Sequence, residues 1–118
     1  IWITVISSAE GKQGYIQPND AVNTFASFGS FPDHILIDEN GDLGKKFNAK
    51  TTPHIFIADK NKNIVYQGAI DDAGGSRFWT TDLNQSTNFV KKVVNDIKSN
   101  KPLSVSKTRP YGCSVKYG

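Results

Sequence analysis

Residues 51–72 read TTPHIFIADKNKNIVYQGAIDD. Thr52 precedes Pro53, and the proline ring pushes the preceding residue out of helical angles, so the chain enters this stretch extended. His54 to Ala58 (HIFIA) is a nearly continuous apolar run, Asp59 to Asn63 (DKNKN) is polar, and Ile64 to Gly68 (IVYQG) is apolar and β-branched again. Two such runs joined by a short polar loop predict a β-hairpin. Asp71 and Asp72 stand at its exit. An acidic pair there most simply caps a loop, with cation binding or setting the pKa of a cysteine that this sequence lacks as the functional alternatives.

Upstream, His34 to Ile37 (HILI) reads as a short strand, and Asn40-Gly41 as a turn. Asp42 can cap a helix of one or two turns in which Leu43 and Phe47 are four apart and Asn48 closes the end. Further back, Asp20 can cap a helix over Ala21–Phe28, with Val22, Phe25 and Ala26 on its apolar face and Gly29 as its stop. Ile1 to Ser7 (IWITVIS) is almost wholly apolar, the pattern of a strand covered on both faces in a parallel sheet. The sequence begins inside this run, and a preceding segment is expected.

Downstream, the span from Asp71 to Gln85 holds Gly74-Gly75 and the aromatic pair Phe78-Trp79. Such a pair in a long loop suits either a partner contact or packing on a sheet edge. Ser86 can cap a helix over Thr87–Ser99. There Phe89, Val90, Val93, Val94 and Ile97 share one face, while Lys91, Lys92, Asn95, Asp96 and Lys98 share the other. Pro102 ends it. Residues 1–102 read as one domain and 103–118 as a tail without clear period. Trp2, Phe25, Phe28, Phe47, Phe56 and Phe89 are the expected aromatic core. Alternation of strands and helices ending in a hairpin and a covering helix predicts an α/β sandwich.

The composition narrows the function classes. The 118 residues are 37% hydrophobic and 21% charged with a net charge of +3, as in an ordinary globular domain. The longest apolar run, Ile1 to Ile6, is broken by Thr4 and is too short for a membrane span. Lys45, Lys46 and Lys50 are the densest basic group and have no aromatic residues between them, so no nucleic-acid partner is expected. His34 and His54 each precede an apolar strand without a third ligand at useful spacing, so neither metal nor cofactor is expected. The single cysteine, Cys113, excludes an internal disulfide, a Cys-x-x-Cys pair and a cysteine-based zinc site. Lys107, Arg109 and Lys116 would favour its thiolate. The plainer reading is a small tail residue.

Residues 51–72 resemble the second half of thioredoxin-like proteins of the peroxiredoxin-like and thiol–disulfide oxidoreductase group, where a Thr-Pro, an apolar strand, a polar turn and a strand ending in two acids run in this order. HILIDENGDLGKKFNAKTTP (34–53) is similar to the segment that leads to that proline, and RPYGCSVKY (109–117) to the ending of one peroxiredoxin-like subgroup. The resemblance implies a thioredoxin-like three-layer α/β/α sandwich with a central mixed β-sheet, lacking the N-terminal strand and the helix of the paired cysteines. It implies that Pro53 follows a cis bond, that Thr52 and Pro53 bind substrate, and that Cys113 is the one candidate catalytic thiol, resolving or peroxidatic, in the absence of the main pair. It implies protein thiols, disulfides or a peroxide as partners of the intact protein. The sheet lane between the strands at Ile1–Ser7 and His54–Ala58 would be empty, to be filled by a preceding segment, a partner strand or a second copy. This chain alone is expected to be inactive. A non-catalytic binding or scaffolding module is the alternative, and the bacterial periplasm and cytoplasm both suit the sequence.

Overall fold

The structure is a computed structural model and describes residues 1–74 and 84–118. The chain divides into two units, Ile1–Ala49 with Val115–Gly118 and Lys50–Ser114. Both combine strands and helices, so the protein is a small α/β protein with mixed strand directions.

In the first unit, β1 (Ile3–Ile6) pairs in parallel with β2 (His34–Ile37), Ile3 opposite His34 and Ile6 opposite Ile37. Parallel neighbours need a long crossover, and here it carries a 3₁₀ turn at Pro18–Asp20 and α1 (Ala21–Ser27). Asp20 stands at the N-cap of α1, but its side chain makes no capping bond. The second helix, α2 (Asp42–Lys46), has Gly41 at its N-cap instead of the expected Asp42. The carboxylate that serves its first turn is Asp38, just past β2. It accepts the N–H groups of Leu43 at 3.0 Å and Gly44 at 2.8 Å, and the hydroxyl of Ser7 at 2.7 Å.

In the second unit, β3 (Thr51–Thr52) is followed by the expected hairpin, β4 (Ile55–Ala58) antiparallel to β5 (Ile64–Gly68). The side chain of Asp59 accepts the N–H groups of Asn61 and Asn63, which shapes the polar turn. The sequence Ser106–Thr108 lies along the other side of β5, with hydrogen bonds from Gln67 N–H to Ser106 O and from Thr108 N–H to Gln67 O. The helix α3 spans Phe89–Lys98 and is capped by Asn88, whose side chain accepts the Lys91 N–H at 2.9 Å. The expected start two residues earlier fails because residues 87 and 88 are already engaged as extended chain, with Asn88 bridged to Asp71 and Thr87 paired to Asp72.

The core is smaller than the aromatic content suggests. Among the described residues, Ile6, Ala21, Tyr66, Ala69 and Val93 are the buried apolar ones. Val93 is fully buried on the predicted apolar face of α3, with Lys91, Lys92 and Lys98 exposed opposite. Phe25, Phe56 and Phe89 are half-buried, whereas Trp2, Phe28 and Phe47 are exposed, against the core expected from the sequence. β1 is likewise not covered on both faces, since Ile3 is 51% and Val5 39% exposed. Their alternation with Thr4 and Ile6 places both on one face of the β1–β2 pair, with Leu36 of β2 beside them, also exposed.

Around Tyr66 the second unit is closed by a ring of hydrogen bonds. The Tyr66 hydroxyl donates to Ala69 O at 2.5 Å and lies 2.6 Å from Thr108 Oγ1, which accepts the Ala69 N–H at 2.9 Å. A self-consistent set has Thr108 donating to Tyr66, so every group in the ring is satisfied. Gly68, at φ 145°, lets Thr108 approach, because a Cβ there would overlap the Thr108 side chain and lie 2.8 Å from its nitrogen.

Candidate functional site

The Thr52–Pro53 peptide bond is cis, as the resemblance implies. Thr51 Oγ1 donates to Pro53 O at 2.8 Å and fastens the loop on itself. His54, the next residue, accepts the Lys50 N–H at Nδ1 (3.2 Å) and stacks on Phe56, with ring centroids 4.4 Å apart. An Nδ1 that accepts must be unprotonated, so the ring carries its proton on Nε2. Burial, and then the Lys50 charge, hold its pKa below the usual histidine value.

Directly beside this loop lies a strand without a signal in the sequence. β6 (Cys113–Ser114) pairs antiparallel with β3, Thr52 opposite Cys113 and Thr51 opposite Ser114. The three sequence-predicted site residues, Thr52, Pro53 and Cys113, are thus brought together, although 60 positions separate Pro53 from Cys113. Cys113 is an exposed free thiol. Gly112, at φ 137°, is the residue that permits the approach: a Cβ there would overlap the Thr52 carbonyl oxygen, and would sit 2.9 Å from the Thr52 carbonyl carbon and 3.3 Å from Pro53 Cδ.

Tyr111 fixes the start of this strand. Its hydroxyl donates to Asp71 Oδ1, and its ring covers Gly74 so closely that a Cβ would overlap it. The Asp71 hydrogen bond, with burial and the Asp71 and Asp72 charges, pushes the Tyr111 pKa up to about 12. The acidic pair therefore acts as a loop cap, as the simpler sequence reading has it. Asp71 also accepts the Ala73 N–H, and Asp72 the Thr87 N–H at 2.8 Å. Tyr111 and Gly112 are the site residues that local sequence reasoning misses, and only the left-handed angle that Gly112 supplies could have flagged them.

Phe78-Trp79 and Gly75 lie outside the described residues. Among those described, no cluster of three or more His, Cys, Asp or Glu is arranged to hold a metal ion, and no helix is long and apolar enough to cross a membrane.

These features define a small α/β protein with an extended edge beside a cis-proline. Comparison with solved structures agrees at the level of the fold. An uncharacterized conserved protein from Geobacillus kaustophilus superposes with a TM-score of 0.78 at 20% identity, over 98% of this chain and 59% of its own. The hypothetical protein SMc02350 from Sinorhizobium meliloti 1021 gives 0.75 at 21% identity, over 98% of this chain and 61% of its own. The chain thus spans about three-fifths of the length of the structures it matches. No family model matches the sequence, and no curated protein matches it significantly.

Proposed function

We propose that this chain is part of a thioredoxin-like, peroxiredoxin-related domain of thiol–disulfide chemistry, in which the Thr52–Pro53 edge receives an extended polypeptide. The observation that carries this reading is the pairing of Thr52, next to cis-Pro53, with an extended segment that has a cysteine opposite it. Strand addition supplies affinity through the main chain and leaves side chains to supply specificity. It is the natural way to hold a disulfide-bearing segment in line for attack.

Dithiol exchange needs one thiolate to attack a disulfide sulfur and a second to resolve the mixed disulfide. The sequence holds one cysteine. On this reading the working pair lies outside these 118 residues, and Thr52 and Pro53 orient the substrate against it. The protein produced from the complete coding region is expected to carry a Cys-x-x-Cys or Cys-x-x-x-Cys and to reduce insulin disulfides or a hydroperoxide, while the 118-residue chain alone does neither. A complete protein without paired cysteines, or with them but inert towards both substrate classes, overturns the proposal.

A second reading, a non-catalytic binding module, is favoured by the apolar surface of the first unit. Ile1, Ile3, Val5 and Leu36 are exposed there, as are Phe28 and Phe31 of the crossover. Among the described residues β1 has a pairing strand on one side only. An open edge with apolar side chains suits a completing strand from a partner or a second copy.

A further inference from the structure

The edge at Thr51–Thr52 is not vacant. The protein's own Cys113–Ser114 lies on it as a short antiparallel strand. We propose that residues 111–114 form a strap that occupies the polypeptide-binding edge of the protein and must lift before another extended segment can bind. The inference rests on the reading of that edge as a binding site and adds its regulation.

Three observations carry it. The ladder is only two residues long, and Thr52, Cys113 and Ser114 are all exposed, so the paired residues themselves bury little apolar surface. Main-chain pairing of this kind exchanges readily for pairing with another chain, because an incoming strand makes the same hydrogen bonds. The strap's fit is nonetheless specific. Gly112 lies against the Thr52 carbonyl at a backbone angle that L side chains rarely adopt. Tyr111 anchors the segment at one point, through Asp71 and the face of Gly74. A two-residue main-chain ladder beside the Tyr111 anchor is a contact that another extended segment can compete for, since it offers the same main-chain groups.

The occupant also describes the ligand. A competing segment must be extended and have a residue without a side chain just before the position opposite Thr52. Gly-Cys-Ser in the strap satisfies both, and a polypeptide with glycine followed by cysteine or another small residue is the class that fits.

The test uses the full chain and a fluorescein-labelled peptide of sequence RPYGSSVKY, the tail with serine for cysteine so that no disulfide forms. Gly112→Val places a Cβ on the Thr52 carbonyl and releases the strap. Tyr111→Phe removes only the Asp71 anchor. The peptide is expected to bind the Gly112→Val chain about tenfold more tightly than the unaltered chain, with Tyr111→Phe between them. Amide exchange at Thr52 and Cys113 rises in the same order, while Tyr66 and Val93 stay protected, which verifies the fold. Equal peptide binding by all three chains overturns the strap, as does protection at Thr52 that survives its loss at Cys113. Neither readout involves turnover. Strap release with no redox activity in the complete protein would therefore sink the oxidoreductase reading alone, and redox activity with no strap release would sink this inference alone.

Discussion

At the scale of single residues, a few polar side chains hold the local structure, and each gives a prediction with a sign. Asp38 is the clearest. Burial raises its carboxyl, but hydrogen bonds from the Ser7 hydroxyl and from the Gly44, Leu43 and Asp42 backbone outweigh it and hold the pKa below the ordinary value. A depressed carboxyl contributes stability that is fully present above its unfolded pKa and is lost as pH falls through the folded one. The first unit should therefore loosen below about pH 4. Asp38→Ala should cost about 2 kcal/mol in urea unfolding, since it strips charge-assisted bonds from two helix N–H groups and a hydroxyl. A cost within experimental error would remove Asp38 as the anchor of α2. His54 runs in the same direction: with its pKa depressed, its contribution is present above the unfolded value and lost on acidification. Tyr111 runs the other way. Its pKa is raised to about 12, so its contribution holds up to the unfolded value near pH 10 and disappears as pH rises through the folded one. A spectrophotometric tyrosine titration should show a component near pH 12 that is absent from Tyr111→Phe.

At the scale of elements, the ring around Tyr66 ties β5 to the segment ending at Thr108. Thr108→Val leaves the Ala69 N–H without its acceptor and should cost about 1–3 kcal/mol. Gly68→Ala should cost more, because it forces a Cβ into Thr108 at a strained backbone angle. Thermal melts of the two variants check the order, and the reverse order would mean that the backbone approach at Gly68 is not what shapes this junction. Elements built from local pattern were legible in the sequence: the hairpin from its two apolar runs, α3 from its face of valines, β2 from HILI. Caps were less so. A local rule looks for the capping side chain next to the helix, but the Asp38 carboxylate reaches the first turn of α2 from four residues before it. Ser86 and Asn88 are both good caps, and the choice between them is made by the pairing of residues 87 and 88 with Asp71 and Asp72, which no helical period reveals.

At the scale of the whole molecule, the limit of sequence reading was pairing between distant segments. The tail has no period because its structure comes from its partners, β5 for residues 106–108 and β3 for residues 113–114. The resemblance singled out Thr52, Pro53 and Cys113, and the contact between them became visible only in three dimensions. Burial is hard to read for a related reason: Trp2, Phe28 and Phe47 have apolar side chains yet lie exposed, because hydrophobicity does not say which apolar groups a small core has room for. Both the proposed thiol–disulfide role and the strap require that extended polypeptide binds at the Thr51–Thr52 edge. The most direct measurement is an amide chemical-shift titration of the Gly112→Val chain with unlabelled RPYGSSVKY peptide. Saturable shifts centred on residues 51–54 are expected, and shifts centred on β1, or none at any peptide concentration, would contradict a polypeptide-binding edge at Thr51–Thr52.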